Sequence, residues 1–290
     1  MRKLTDIFKE KQQTFSFELF PPKTEEGYQK LLSTIKQLSE LKPDFISVTC
    51  GAGGGTRART KDIVDHIQET YQITGVEHLT CIGNTKAEIK KSLDDTQARG
   101  IYNILALRGD PPPNSPAVKL GKDNFKYSYQ LCKFIRATYA DDFSIGVAGF
   151  PEGHVLCPDR ELDADYLKIK MDAGADYVIT QLFFNNKDYF DYVKRLRRRG
   201  IFARVIPGII PITDYLGILR FCQKCGTSVP KEVQEVFAPI QTDPQAVSEA
   251  GIKFAIRQCR ELLENGAPGL HFYTLNKASP VDIILKEVRK

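Results

Sequence analysis

Two carboxylates stand where a folded chain has little structural reason to put them. Glu18 interrupts the apolar run Phe15-Ser-Phe-Glu-Leu-Phe20, and Asp110 ends the run Asn103-Ile-Leu-Ala-Leu-Arg-Gly-Asp110, just before Pro111-Pro-Pro113. Burial disfavours the charged form of a carboxyl, so Glu18 in a core strand is expected to keep a proton toward neutral pH and to serve as a general acid. The competing reading is a glutamate ion-paired inside the fold to an arginine or lysine. Asp110 also has two readings, a functional carboxylate beyond a strand end or an aspartate capping the turn ahead of the prolines. Thr49, His78, Gln181, the pair Phe150 and His154, and the turn Leu275-Asn-Lys277 finish other apolar runs. Taken alone, His78 reads as a hydrogen-bonded core histidine, whereas His154, on a loop, is the better functional candidate.

Other motifs carry less. Gly51-Ala-Gly-Gly-Gly55 lets backbone approach a phosphate, but it has neither the spacing of a dinucleotide fingerprint nor the lysine of a P-loop. Cys222-Gln-Lys-Cys225 has no second half, and no His-x-x-x-His frame exists, so no metal is expected. The run Lys194-Arg-Leu-Arg-Arg-Arg199 reads as a solvated helix C-terminus, where cations favour the macrodipole. Tyr215 has two readings, a core anchor or an aromatic lid over a planar ligand.

The elements that must hold these residues follow from periodicity. Short apolar runs begin near Phe15, Phe45, Glu77, Asn103, Ser144, Tyr177, Arg204 and Gly269, and each is followed by a helical pattern. Helices are expected over Arg57 to Tyr71, from Asn124 to Tyr139, from Thr213 to Lys224, over Pro230 to Asn265, and from Pro280 onward. Thr85 with Glu88 three places on predicts a capping box. Three prolines after Asp110 forbid continuation as strand or helix, which sets that carboxylate past the carboxyl end of a buried strand. About eight strand–helix units of about 36 residues fit a (β/α)8 TIM barrel, and the polar residues at the strand ends then share one mouth. We read an α/β chain whose residues 1–290 form a single barrel domain. A doubly wound sheet is the structural competitor.

Composition narrows the function classes. The 290 residues are 42% hydrophobic and carry a formal charge of +5, with the basic residues scattered, which argues against nucleic acid. No apolar stretch approaches the roughly 20 residues of a membrane helix, and the N-terminus lacks a signal-peptide core, so no membrane association is expected. Seven cysteines, an odd number, suit a reducing cytoplasm better than a disulfide framework.

The strand-end motifs together resemble the methylenetetrahydrofolate reductase family: Phe15-Ser-Phe-Glu-Leu-Phe-Pro-Pro22, Ser47-Val-Thr-Cys-Gly-Ala52, His78-Leu-Thr-Cys81, Leu107-Arg-Gly-Asp110 and Pro151-Glu-Gly-His154. Ala173-Gly-Ala-Asp176, Ile179-Thr-Gln-Leu-Phe-Phe184, Pro207-Gly-Ile-Ile-Pro211 and His271-Phe-Tyr-Thr-Leu-Asn276 continue the likeness to the end of the chain. The length is similar to the bacterial form, a catalytic domain without a regulatory region. The resemblance implies an FAD-containing barrel that reduces 5,10-methylenetetrahydrofolate to 5-methyltetrahydrofolate with NADH or NADPH, in a ping-pong cycle. It implies that Glu18 is the general acid toward the bridging nitrogen of the folate, and that Asp110 lies beside the flavin and bonds the pterin. Gln181 would contact both alternating substrates, Thr49 the nicotinamide donor, and Tyr215 would stack on folate or on the folded dinucleotide.

The same likeness assigns Cys50, Ala52, His78, Arg108, Gly109, Asp110, Ser128, Phe150, His154, Asp163, Tyr166 and Lys170 to the FAD site. Cys50 and Phe150 stand where tyrosine is common, Ser128 where alanine is, and Ile169 where some members carry arginine. Lys277, in an arginine's usual place, would meet a folate carboxylate without a bidentate fork. A homo-oligomer is expected. The alternatives are the same barrel fed electrons by an iron–sulfur or flavin partner subunit, a non-catalytic barrel scaffold, and a flavin-free lyase or aldolase barrel.

Overall fold

The computed structural model describes residues 1–50, 57–110 and 121–290. Its strands are β1 (Thr14–Leu19), β2 (Phe45–Val48), β3 (Thr74–Thr80), β4 (Asn103–Leu107), β5 (Ser144–Gly149), β6 (Tyr177–Thr180), β7 (Arg204–Ile206), β8 (Gly208–Ile209) and β9 (Gly269–Tyr273). They form one parallel sheet in the order β7-β6-β5-β4-β3-β2-β1-β9-β8. Only Pro207 separates β7 from β8. The stretch pairs with β6 through Val205↔Val178 and with β9 through Gly208↔His271, so one chain segment joins both ends of the sheet and closes the barrel. Gly208 is required there: a Cβ would stand 2.3 Å from the Thr180 carbonyl oxygen and 2.6 Å from the Tyr273 ring. The expected α/β barrel is the observed fold, with eight strand positions of which the seventh is split.

The strands alternate as a barrel wall must. Phe17 and Leu19 of β1 point outward into the main core, shared with helices α2 (Glu25–Glu40), α3 (Arg57–Tyr71), α4 (Lys86–Ala98), α5 (Ser128–Tyr139), α6 (Arg160–Asp172), α7 (Asn186–Arg198), α10 (Pro244–Glu264) and α11 (Ser279–Val288). Ser16 and Glu18, of the opposite parity, point inward. The interior is filled from below by Phe45, Val76, Leu105, Tyr177, Ile179 and Ile206. The capping box of α4 is present, with Thr85 Oγ1 accepting from Glu88 N at 3.2 Å and Glu88 Oε2 accepting from Thr85 N at 2.8 Å.

Three features depart from the sequence reading. A first helix, α1 (Leu4–Glu10), plugs the bottom of the barrel with Leu4 and Ile7; Leu4 N donates to Asn103 Oδ1 at 2.7 Å, and Phe8 packs edge-on to Tyr177. Two turns carry too few apolar positions to show a helical period. The helical length expected over about Pro230 to Asn265 is divided into α9 (Lys231–Phe237), a 3₁₀ turn at Ala238–Ile240, and α10, because Pro239 and Pro244 cannot sit inside a helix and Asp243 caps the new start. The basic end of α7 is not a free solvated face. Arg195 is buried and donates to Glu161 at 3.0 Å, and Arg199 bonds Glu161 and Asp165, which fastens α7 to α6. Among the described residues no helix is long and apolar enough to cross a membrane.

Candidate active site

Inward-facing polar residues at the carboxyl ends of the strands surround one cavity of about 1660 Å³. Ligand pockets for a single small molecule run to roughly 300–1,000 Å³, so this one has room for two ligands side by side. Its floor is a cluster of one carboxylate and two imidazoles. Glu18 Oε2 lies 3.4 Å from His271 Nε2 and 3.5 Å from His78 Nε2. Behind it, His271 Nδ1 is 2.8 Å from Ser16 Oγ, which also donates to the Leu270 carbonyl at 3.3 Å. Thr274 Oγ1 donates to the Glu18 carbonyl at 2.8 Å and holds the end of β1 against β9. The His271 ring is fully buried and stacks on Phe45 at 5.8 Å, so the imidazole is fixed in plane and in distance.

The electrostatics of this cluster correct the expectation for Glu18. Burial pushes its carboxyl up, a protonated His78 and the hydrogen bond and charge of His271 pull it down, and it ends below its ordinary value. Burial drives His78 itself down to about 4, against the attraction of Glu18. A neutral His78 therefore faces the carboxylate at pH 7. The partners are imidazoles and not the arginine or lysine of the competing reading.

Fourteen of the expected site residues line this one cavity. Thr49 and Cys50 follow β2, with Thr49 N donating to the Leu19 carbonyl at 2.8 Å; Arg108, Gly109 and Asp110 follow β4, with Asp110 exposed at the rim. Ser128 opens α5. Phe150 and His154 follow β5, their rings edge to face at 4.7 Å. Asp163, Tyr166 and Lys170 come from α6. Burial raises Asp163 to about 6 and lowers Lys170, whose ammonium donates to the Ala148 carbonyl at 3.0 Å. His154 is lowered by burial and by the nearby Lys170 and Arg108. Gln181 follows β6, and its side-chain oxygen accepts from Leu182 N at 2.9 Å.

Three assignments fare differently. Ala52 lies outside the described residues. Tyr215 is buried and stacks on Phe237 at 5.5 Å in a second core cluster, so it is the core anchor and not the lid. It opens α8 (Tyr215–Cys225), whose buried face is Tyr215, Ile218 and Cys222. Phe221 lies about 240° further round that helix, exposed, and lines the cavity. Their spacing puts the two aromatics on different faces of the helix. Lys277 is exposed and does not line the cavity, whereas Leu275 does. Two more residues were missed: His271, whose strand parity with Ser16 and Glu18 signals an inward position, and Tyr273, whose hydroxyl donates to the Thr180 carbonyl at 2.6 Å.

Residues 3–289 match the family model described as methylenetetrahydrofolate reductase. The chain is 38% identical over 283 residues to "Methylenetetrahydrofolate reductase (NADH) 1" of Arabidopsis thaliana, covering 94% of this chain and 48% of that protein. It is 36% identical over 263 residues to the "5,10-methylenetetrahydrofolate reductase" of Salmonella typhimurium, covering 91% and 86%. Among solved structures, a Clostridium thermocellum protein described as binding two copies of 5-methyl-5,6,7,8-tetrahydrofolic acid superposes with a TM-score of 0.61 at 15% identity, covering 99% of this chain and 98% of that one, a likeness of fold. The chain spans about half the length of the first curated relatives it matches, 46% to 48%. A match over nearly every residue, with strand-end motifs gathered at one barrel mouth, identifies the chain as a member of the methylenetetrahydrofolate reductase family.

Proposed function

We propose that this barrel reduces 5,10-methylenetetrahydrofolate to 5-methyltetrahydrofolate with FAD and a nicotinamide donor, NADH or NADPH, using Glu18 as general acid. The observation that carries the reading is the Glu18–His271–His78 cluster at the floor of a two-ligand cavity. The donor set suits a flavin dinucleotide. Leu105, Ala106, Leu107 and Ile179 offer an apolar bed for a planar ring, and Arg108, Lys126 and Lys170 offer cations to a pyrophosphate. When bound there, FAD supplies the transfer of hydride from the nicotinamide donor to the folate. The chain's own part is proton management and positioning.

A ligand laid over Glu18 excludes the remaining water and adds to the burial that raises its carboxyl. With His78 neutral, the carboxyl then holds a proton on Oε2 and delivers it to the folate's bridging nitrogen, which opens the five-membered ring to the iminium that accepts hydride. His271, backed by Ser16, keeps Oε2 in place before and after the transfer. Asp110 at the rim would accept from the pterin, and Gln181 would serve both alternating substrates. Phe221 would supply the aromatic face that the sequence reading gave to Tyr215.

The test is the visible absorption spectrum of the purified protein, followed by anaerobic NADH, then NADPH. A flavin spectrum bleached by either donor and restored by methylenetetrahydrofolate is the expected result. A bound flavin that neither donor reduces would favour delivery of electrons by a partner subunit. No flavin, even after incubation with FAD, overturns the reading.

A further inference from the structure

The two walls of the cavity come from different parts of the chain. One is the loop after β5, which carries Phe150, His154 and Leu156; the other is the end of α8, which carries Phe221, Lys224 and Cys225. They are joined by contacts that the reading above leaves unused. Ser228 N donates to both carboxylate oxygens of Glu152, at 3.3 and 3.1 Å, and Ser228 Oγ donates to Glu152 Oε2. Beside this, α8 ends on Gly226 in the left-handed conformation, φ 72°, where a Cβ would stand 3.0 Å from Val155 Cβ. Thr227 Oγ1 donates to the Leu182 carbonyl at 3.2 Å, which ties the same segment to the end of β6.

The Glu152 side of this junction is built and not adventitious. Its loop is closed on itself by Gly153 N donating to the Phe150 carbonyl at 3.0 Å and Cys157 N donating to the His154 carbonyl at 2.7 Å. Glu152 is half-buried, and burial raises its carboxyl against the two bonds from Ser228; Arg160 and Asp188, which pair with each other at 2.8 Å, are the charges facing it. Three hydrogen bonds between residues 76 positions apart converge on one side chain.

The geometry points to Glu152 and Ser228 as a clasp that sets the gap between the two walls: Glu152 is a positioning residue that holds the α8 end, with Phe221 and Lys224, against the Phe150–His154 loop. The naming of ligands for each wall rests on the function proposed above, with flavin on the β5 side and folate or nicotinamide on the α8 side. Removing the clasp therefore loosens the second ligand and leaves the first in place. The hydrogen bonds are geometric in origin, so an amide at 152, which accepts from Ser228 N and donates to Ser228 Oγ, preserves the junction.

The experiment compares Glu152→Ala, Glu152→Gln and Ser228→Ala with the wild-type protein carrying its own flavin. Hydrogen–deuterium exchange across residues 221–228 and the Kd for 5-methyltetrahydrofolate are measured together with the flavin content. Glu152→Ala loses three converging hydrogen bonds together, and it is expected to speed exchange in 221–228 and to raise the Kd, each roughly tenfold, while β1 and β3 stay protected and flavin is retained. Glu152→Gln is expected to match the wild type, and Ser228→Ala, which keeps its N–H, to fall between. Wild-type exchange in Glu152→Ala, or a Glu152→Gln as loose as Glu152→Ala, overturns the clasp. A wild-type protein that binds no folate yet shows the same exchange pattern supports the clasp and overturns the ligand reading alone.

Discussion

His271 Nε2 stands 3.4 Å from Glu18 Oε2, across the parallel pairing that joins the first barrel strand to the last. The contact lies beside the pairing of the first and last strands and bears on the protonation of the candidate acid. His271 has no freedom to drift, because Ser16 holds its other nitrogen and Phe45 holds its face.

Substituting Glu18→Gln removes the proton donor and keeps the shape. Positioned acids contribute roughly 10²–10⁴-fold, and folate reduction is expected to fall by that factor while flavin binding and its reduction by the nicotinamide donor persist. Stopped-flow measurement of the two half-reactions checks this, and unchanged folate turnover would rule out the acid role.

His271→Phe keeps the stack on Phe45 and deletes the hydrogen bond to Glu18. That bond and the imidazole charge lower the Glu18 carboxyl, so their loss raises it. An acid is lost as pH rises through its pKa. The alkaline limit of folate reduction is thus expected to move to higher pH, with the profile of the nicotinamide half-reaction unmoved. A shift in the opposite direction contradicts the assignment.

Asp110 sits at the rim, away from the Glu18 cluster. Asp110→Asn is expected to impair the folate half-reaction more than the flavin half-reaction, by roughly tenfold for the loss of a charge-assisted bond. Rate constants for each half-reaction decide, and the reverse ranking would remove the pterin contact.

Phe221 and Tyr215 separate by readout. Phe221→Ala, on the cavity wall, is expected to raise KM for folate and nicotinamide donor with the melting temperature nearly unchanged. Tyr215→Ala, in the core against Phe237, is expected to cost about 3–5 kcal/mol of stability, as large aromatic truncations do. Denaturant titration and steady-state kinetics on both variants distinguish wall from core.

His78 gives the fold a pH dependence of its own. Its folded value is about 4 against an ordinary 6.5, so between those limits the unfolded chain binds the extra proton. The stability is present above about 6.5 and is lost as pH falls toward 4, with a slope of up to about 1.4 kcal/mol per pH unit from this group. In His78→Asn that part of the slope is expected to vanish, which urea titrations between pH 4 and 7 measure.

The barrel and its mouth were legible in the sequence because both are written in local patterns. Each strand is a short apolar run with a polar residue at its end, each helix repeats at its own period, and prolines and glycines mark the borders. Glu18, Asp110, Thr49, His78 and Gln181 could be placed around one barrel mouth from those patterns alone. The first helix was not legible, since two turns show no period, and the break at Pro239 was passed over within a longer helical pattern.

What tertiary structure alone decided is what stands next to what. The environment of Glu18 depends on His78 and on His271, the latter 253 positions away and brought in by the pairing of the first and last strands, and together they reverse the direction that burial by itself would give. Tyr215 and Phe221 share one helix, and only the packing of its buried face against Phe237 shows which ring is free to meet a ligand. Residue type and period fix which side of an element a group leaves from. Long-range pairing sets the charges and distances it meets there, and those decide its chemistry.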